Sequence, residues 1–350
     1  MSGVDGSFLD REALQESYHL TLDDFIIDLA WSPDGSRLAA VTVEGGVFLI
    51  DLERDATNPE FIGQHDGGGN SISWSWDGVE FATAGHDGVA KVWDGHSGRE
   101  IARVQAGDSW VGKVVYHPRK RVLASVAGKH LRLWSEERAL LYESSEHSST
   151  IADAAWNPDG TGIAVAAYQG ITLHAPGKQR QPRKYIWKGS SVVLAWSPDS
   201  KYMATGEQDS QVHFWHVKSG EDAHMWGFPT KVLELSWDPS GQWLATGGGA
   251  TVALWDCSGK GPSGRKPRVY EAHSSKLTQL AFQPDGKLLA SADMDSTLAL
   301  WDPLKHDKVI GGSLLSAPAS CLRWRQGGLF AVGLQDGKIL VYDVQSQQRH

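Results

Sequence analysis

Four residues whose types could do chemistry stand at a fixed spacing: His65, Thr83, Asp87 and Trp93. An imidazole between a hydroxyl and a carboxylate is the arrangement of an activated nucleophile. The carboxylate orients the imidazole, and the imidazole takes the hydroxyl proton. The same types return at His273, Ser291, Asp295 and Trp301. In both sets the Asp lies six residues before the Trp, and the His nine before an earlier aromatic, Trp74 or Phe282. Two matched copies point to scaffolding, because catalysis needs such a constellation once. No Ser occupies a nucleophile elbow.

Metal and phosphate chemistry find little support either. The 14 His are scattered. His213 and His216 flank Trp215, but no close pair is joined by further ligands at zinc-site spacing. No metal and no cofactor is therefore expected. Gly67-Gly68-Gly69 and Gly247-Gly248-Gly249 open no helix, so they read as tight connections rather than phosphate loops.

The chain of 350 residues is globular in composition, 41% apolar and 21% charged. A net charge of −9 argues against wholesale binding to nucleic acid or anionic membrane, though not against a local basic patch. No apolar run is long enough to span a membrane. The first 20 residues are acidic and lack the basic and apolar regions of a signal peptide. Cys257 and Cys321 form no motif, which favours a reducing, cytoplasmic setting.

Self-similarity supplies the elements that position these residues. The aromatics Trp31, Trp74, Tyr116, Trp156, Trp196, Trp237, Phe282 and Trp324 recur at intervals of 40 to 45 residues. Each is followed by a turn such as Ser-Pro-Asp-Gly, a second strand, an Asp-Gly-like turn and a third strand. The third strand ends at Ile50, Trp93, Trp134, His174, Trp215, Trp255, Trp301 or Tyr342. Pro fixes φ early in such turns and Gly accepts positive φ late in them. The period is that of one four-stranded blade.

These motifs resemble the WD-repeat β-propeller family over roughly residues 16–344. The eight repeats imply an all-β, single eight-bladed propeller of this type, with seven blades, the familiar number in the family, as the alternative. Residues 1–14 would form a tail, with a short helix over 8–15 capped by Ser7. The propeller would cover 15–345, and 346–350 a second tail. The last repeat lacks a fourth strand, and residues 16–20 stand where an outer strand belongs. The N-terminal strand is thus expected to pair into the last blade and close the ring. In the family, the His, Ser/Thr, Asp and Trp form a buried hydrogen-bond chain, which assigns that role to both tetrads.

Function is expected on the loops. The favoured expectation is a non-enzymatic scaffold that binds a protein or peptide partner. Phe25, Trp110, Tyr168, Trp226 and Met294 are the candidate contacts, since none is a core anchor. The alternative is RNA or an acidic segment on basic loops carrying Arg119, Lys120, Arg121, Arg180, Arg183, Lys184, Arg265, Lys266 and Arg268. A third, less favoured, is a channel-centred metal enzyme using Asp28, Asp153 and Glu234, which share one repeat position.

Overall fold

The computed structural model describes residues 13–55, 57–108, 110–177, 181–305 and 307–344, and every regular element among them is a β-strand. The expected helix over 8–15 falls mainly outside the described residues, and Gln15 opens a strand. The chain divides into two compact units, residues 22–194, and residues 1–21 together with 195–350.

Strand β1 (Gln15–Thr21) precedes three four-stranded antiparallel sheets. The first holds β2 (Ile26–Trp31), β3 (Arg37–Thr42), β4 (Gly46–Asp51) and β5 (Glu60–Gln64). The second holds β6 (Gly69–Trp74), β7 (Glu80–Gly85), β8 (Val89–Asp94) and β9 (Glu100–Gln105). The third holds β10 (Val111–Tyr116), β11 (Leu123–Ala127), β12 (His130–Trp134) and β13 (Leu140–Glu143). A six-stranded sheet follows: β14 (Asp153–Trp156), β15 (Ile163–His174), β16 (Arg183–Trp196), β17 (Tyr202–Glu207), β18 (Val212–His216) and β19 (Asp222–Met225). Next come β20 (Leu235–Trp237), β21 (Trp243–Thr246), β22 (Thr251–Asp256) and β23 (Arg268–Glu271). After these come β24 (Leu277–Phe282), β25 (Leu289–Asp293), β26 (Thr297–Trp301) and β27 (Val309–Leu314). The final sheet is β28 (Ala319–Trp324), β29 (Leu329–Leu334) and β30 (Lys338–Asp343), completed by β1.

Among the described residues there are therefore seven sheets, and the expectation of eight blades is corrected to seven. The repeats anchored at Trp156 and Trp196 share one sheet. β15 takes both the second and third strand positions of its repeat, with the reversal compressed into Gln169 (φ 74°) and Gly170 (φ 99°). β16 runs for 14 residues from an outer-strand position to the anchor Trp196 without a loop, so hydrogen bonding passes from one repeat to the next. Counted by sheets, the fold is a seven-bladed β-propeller.

The N-terminal strand pairs as its spacing predicts. β1 lies antiparallel to β30 from Gln15↔Asp343 to Thr21↔Lys338, with a bulge between Glu16 and Tyr18.

The core lies between successive sheets. Within residues 22–194, Ala39, Val41, Val47 and Leu49 of one sheet pack on Ile72, Trp74, Phe81 and Trp93 of the next. Small residues on one side thus accept large aromatics from the other, which is how close packing is reached without strain. In the other unit, Ala290, Ala292, Leu298 and Leu300 meet Leu322, Phe330, Val332 and Tyr342 in the same way. Second strands such as β7 and β11 are buried along their whole length, whereas outer strands such as β9 alternate toward solvent.

Candidate functional site

The first tetrad is assembled as a chain with one direction. Trp93 Nε1–H donates to Thr83 Oγ1 at 2.9 Å, and Thr83 Oγ1 lies 2.7 Å from His65 Nε2. His65 Nδ1 lies 3.0 Å from both Asp87 carboxylate oxygens. Burial pushes the His65 imidazole below its usual range, against the pull of Asp87. Burial works to raise the Asp87 carboxyl, but the His65 hydrogen bond and charge, with the Val89 and Asp66 N–H groups, together outweigh that and hold it low. A neutral imidazole with its proton on Nδ1 satisfies every contact, with the Thr83 hydroxyl donating to Nε2. His65 and Thr83 are both 0% exposed, so no substrate reaches the hydroxyl.

The second tetrad needs a correction. Trp301 Nε1 donates to Ser291 Oγ at 2.8 Å, which lies 2.7 Å from His273 Nε2. The acid facing His273 Nδ1 is Asp293, at 3.1 Å, rather than Asp295. That pair is close enough for an ion pair but is not aligned as a hydrogen bond. Asp295 accepts from the Ser274 hydroxyl instead. Asp293 ends β25, where β7 ends in Gly85, and a side chain at Gly85 would strike the His65 imidazole. The acid therefore comes from the strand end in one blade and from the turn in the other.

A second set of bonds joins neighbouring sheets. The first-strand indoles donate to the preceding repeat's first strand: Trp74 to Ala30 O, Trp156 to Val115 O, Trp237 to Ala195 O and Trp324 to Ala281 O. Short side chains return the contact, Ser71 and Ser73 accepting from the backbone N–H groups of Val114 and Tyr116. Asp28 and Asp153 belong to this set. Asp28 Oδ2 accepts from Ile72 N at 3.2 Å, and Asp153 Oδ2 accepts from Leu194 N at 2.9 Å while Lys113 pairs with its other oxygen. Glu234 is buried and its carboxyl is pushed up by burial. Asp28 is thus a structural acceptor between two sheets, and Asp153 one within the six-stranded sheet.

The profile described as "IFT122 first beta-propeller" matches residues 25–263, and that of "WD domain, G-beta repeat" matches residues 264–302. The chain belongs to this family of WD-repeat β-propellers. The WD-repeat chain is 25% identical over 299 residues to "Cell division cycle 20.5, cofactor of APC complex" of Arabidopsis thaliana, covering 80% of this chain and 65% of that protein. It is 25% identical over 334 residues to "Telomerase protein component 1" of Mus musculus, covering 93% of this chain and 12% of that protein. It is 23% identical over 315 residues to "WD repeat-containing protein slp1" of Schizosaccharomyces pombe, covering 86% and 62%. The chain spans less than two-thirds of the length of these relatives. Among solved structures, the computationally designed Ika8 protein matches with a TM-score of 0.78 at 18% identity, covering 93% of this chain and 99% of that one, a likeness of fold.

The expected partner contacts of the WD-repeat protein fare unequally. In residues 22–194, Trp110 is 62% exposed and stacks on the His86 imidazole with centroids 4.7 Å apart and 19° between planes. His86 Nε2 lies 3.1 Å from Asn70 Oδ1, and Asn70 Nδ2 donates to Val111 O, beside Trp110. Tyr168 is exposed, whereas Phe25 is half-buried and its carbonyl accepts from Val43 N. In the other unit, Trp226 and Met294 are both exposed.

The basic loops are partly neutralised. Arg121 is held by Asp77 and Glu136, and Arg265 by Asp256 and Ser258. The Arg183 and Arg268 guanidiniums cover the rings of Tyr185 and Trp243. Arg119, Lys120, Lys184 and Lys266 are exposed, and Arg180 lies outside the described residues.

Sequence reasoning missed the apolar side chains that outer strands hold to solvent, among them Phe61, Ile186 and Leu314. Their alternation on the fourth strand was the available signal. Among the described residues, no helix is long and apolar enough to cross a membrane.

Proposed function

We propose that this WD-repeat protein is a non-enzymatic adaptor that binds a protein or peptide partner, with Trp110 as a principal anchor. The exposed Trp110 indole on its His86–Asn70 shelf supports this reading most directly. A large apolar side chain already stacked in place loses little freedom on binding, and Trp dominates interface energetics when it sits in a supported position. The description of one relative as a cofactor of the APC complex agrees with an adaptor role.

The test is parallel affinity capture with wild type, Trp110→Ala and Phe25→Ala. The expected result is loss of specific partners from Trp110→Ala, with its unfolding midpoint within about 1 °C of wild type, because a half-exposed truncation costs little stability. An unchanged set of captured partners, or a collapse in stability, would remove Trp110 from the binding surface.

A further inference from the structure

The hairpin of β18 and β19 sets His213 opposite His224 and Trp215 opposite Asp222. Residues two apart on a strand share a face, and directly opposed side chains on that face touch. Asp222 and His224 therefore project together, and His213 meets them from the neighbouring strand. His213 Nδ1 lies 2.9 Å from Asp222 Oδ2, and His224 Nε2 lies 2.8 Å from the same oxygen. The two imidazole centroids are 4.1 Å apart. One nitrogen from each His and one carboxylate oxygen all lie within 4.8 Å of one another.

Two imidazoles converging on a single carboxylate oxygen are placed as they would be around a shared cation. We propose that His213, Asp222 and His224 form a site for one divalent transition-metal ion of the zinc class. Imidazole nitrogen and carboxylate oxygen are the donors such ions prefer, and two His with one carboxylate leave at least one position open. Metal–ligand bonds of about 2.0–2.1 Å in a tetrahedron put ligand atoms roughly 3.3 Å apart. The two N···O distances must then open by about 0.5 Å, less than a change of rotamer.

The supporting shell suits the role. His213 is 0% exposed and stacks on the core indole of Trp215, so its position is fixed. The side chains of Asp222 and His224 are 30% and 40% exposed, which admits the ion and a water to fill the open position. A bound ion would tie the outer strand β19 to β18. In the sequence His213 and His216 flank Trp215, with no further ligand at zinc-site spacing. The site is instead built across the hairpin, with an Asp-Ala-His segment supplying two ligands.

The test uses the full chain, stripped with chelator, and zinc chloride followed by calorimetry and thermal unfolding. One saturable site is expected, with micromolar or tighter affinity, and a rise in unfolding temperature on zinc addition. Asp222→Asn and His224→Ala should each weaken binding at least about tenfold, while His216→Ala binds as wild type. His224→Gln separates ligation from structure, because its amide still donates to Asp222 but is a poor zinc ligand. Loss of zinc binding in folded His224→Gln supports the site. No saturable binding in wild type, or undiminished binding in His224→Gln, overturns it.

Discussion

Thr83 Oγ1 joins two partners that have no solvent to fall back on: it accepts from Trp93 Nε1 and lies against His65 Nε2. Thr83→Val keeps the shape and removes both contacts, leaving two buried polar atoms unmatched. Each such atom costs about 1–3 kcal/mol, so a loss of roughly 2–6 kcal/mol is expected in urea unfolding, with Thr83→Ser near wild type. A second prediction concerns His174, which takes the slot of the third-strand Trp. Burial, then the neighbouring His147, pushes its imidazole down to about 4. The unfolded chain binds this proton near the ordinary imidazole value of 6.5, so between roughly pH 6.5 and 4 it holds more protons than the native state. Stability from the neutral imidazole is therefore full above pH 6.5 and falls as the medium is acidified, by up to about 3 kcal/mol. His174→Phe should flatten the slope of unfolding midpoint against pH over that window, and an unchanged slope would reject the assignment. Sequence spacing groups Trp93, Thr83 and His65, which hydrogen bonds join, Trp93 and Thr83 sharing a face of β8 and β7 and His65 following the end of β5. It misassigned Asp295, because a short acid can reach the same imidazole from the strand end or from the turn.

At the scale of elements, turn chemistry was the most legible feature. Gly35, Gly78, Gly160 and Gly241 all adopt φ between 70° and 75° at the end of the first turn. Ser200 stands in the same place at φ 60°, where a side chain is strained. Ser200→Gly should relieve that strain, offset in part by the greater freedom of Gly when unfolded. A net gain of about 0.5–1 kcal/mol and a rise of a degree or two in thermal midpoint are expected. A lower midpoint would show that the Ser200 side chain contributes more than its backbone costs. What the repeat could not show was the fate of the stretch 163–196. Each strand there matches its template, but pairing is decided by whether loop residues separate the strands. Those between the outer strand and Trp196 were too few to break the hydrogen bonding.

At the scale of the whole molecule, the period, the turn residues and the missing last strand carried most of the information, because each repeat must bury its faces against the next. β1 is held in its sheet by pairing with β30 and by Leu20, which is 2% exposed. Leu20→Asp would bury an unpaired charge and loosen β1. A fall of several degrees in thermal midpoint and increased light scattering on heating are expected, since an uncovered strand edge recruits other chains. Wild-type behaviour on both measures would mean that β1 contributes little to that edge.

The pairing of Gln15 with Asp343 also sets an order of events during synthesis. Among the described strands, the one made first has its partner made last. At about 5–20 residues per second, a ribosome needs roughly 15–60 s to cover the interval. Throughout that time the nascent β1 has no native place to go, and the final sheet forms only once β30 has been made. The earlier sheets can pair as they emerge, so completion of the final sheet waits on the capture of β1.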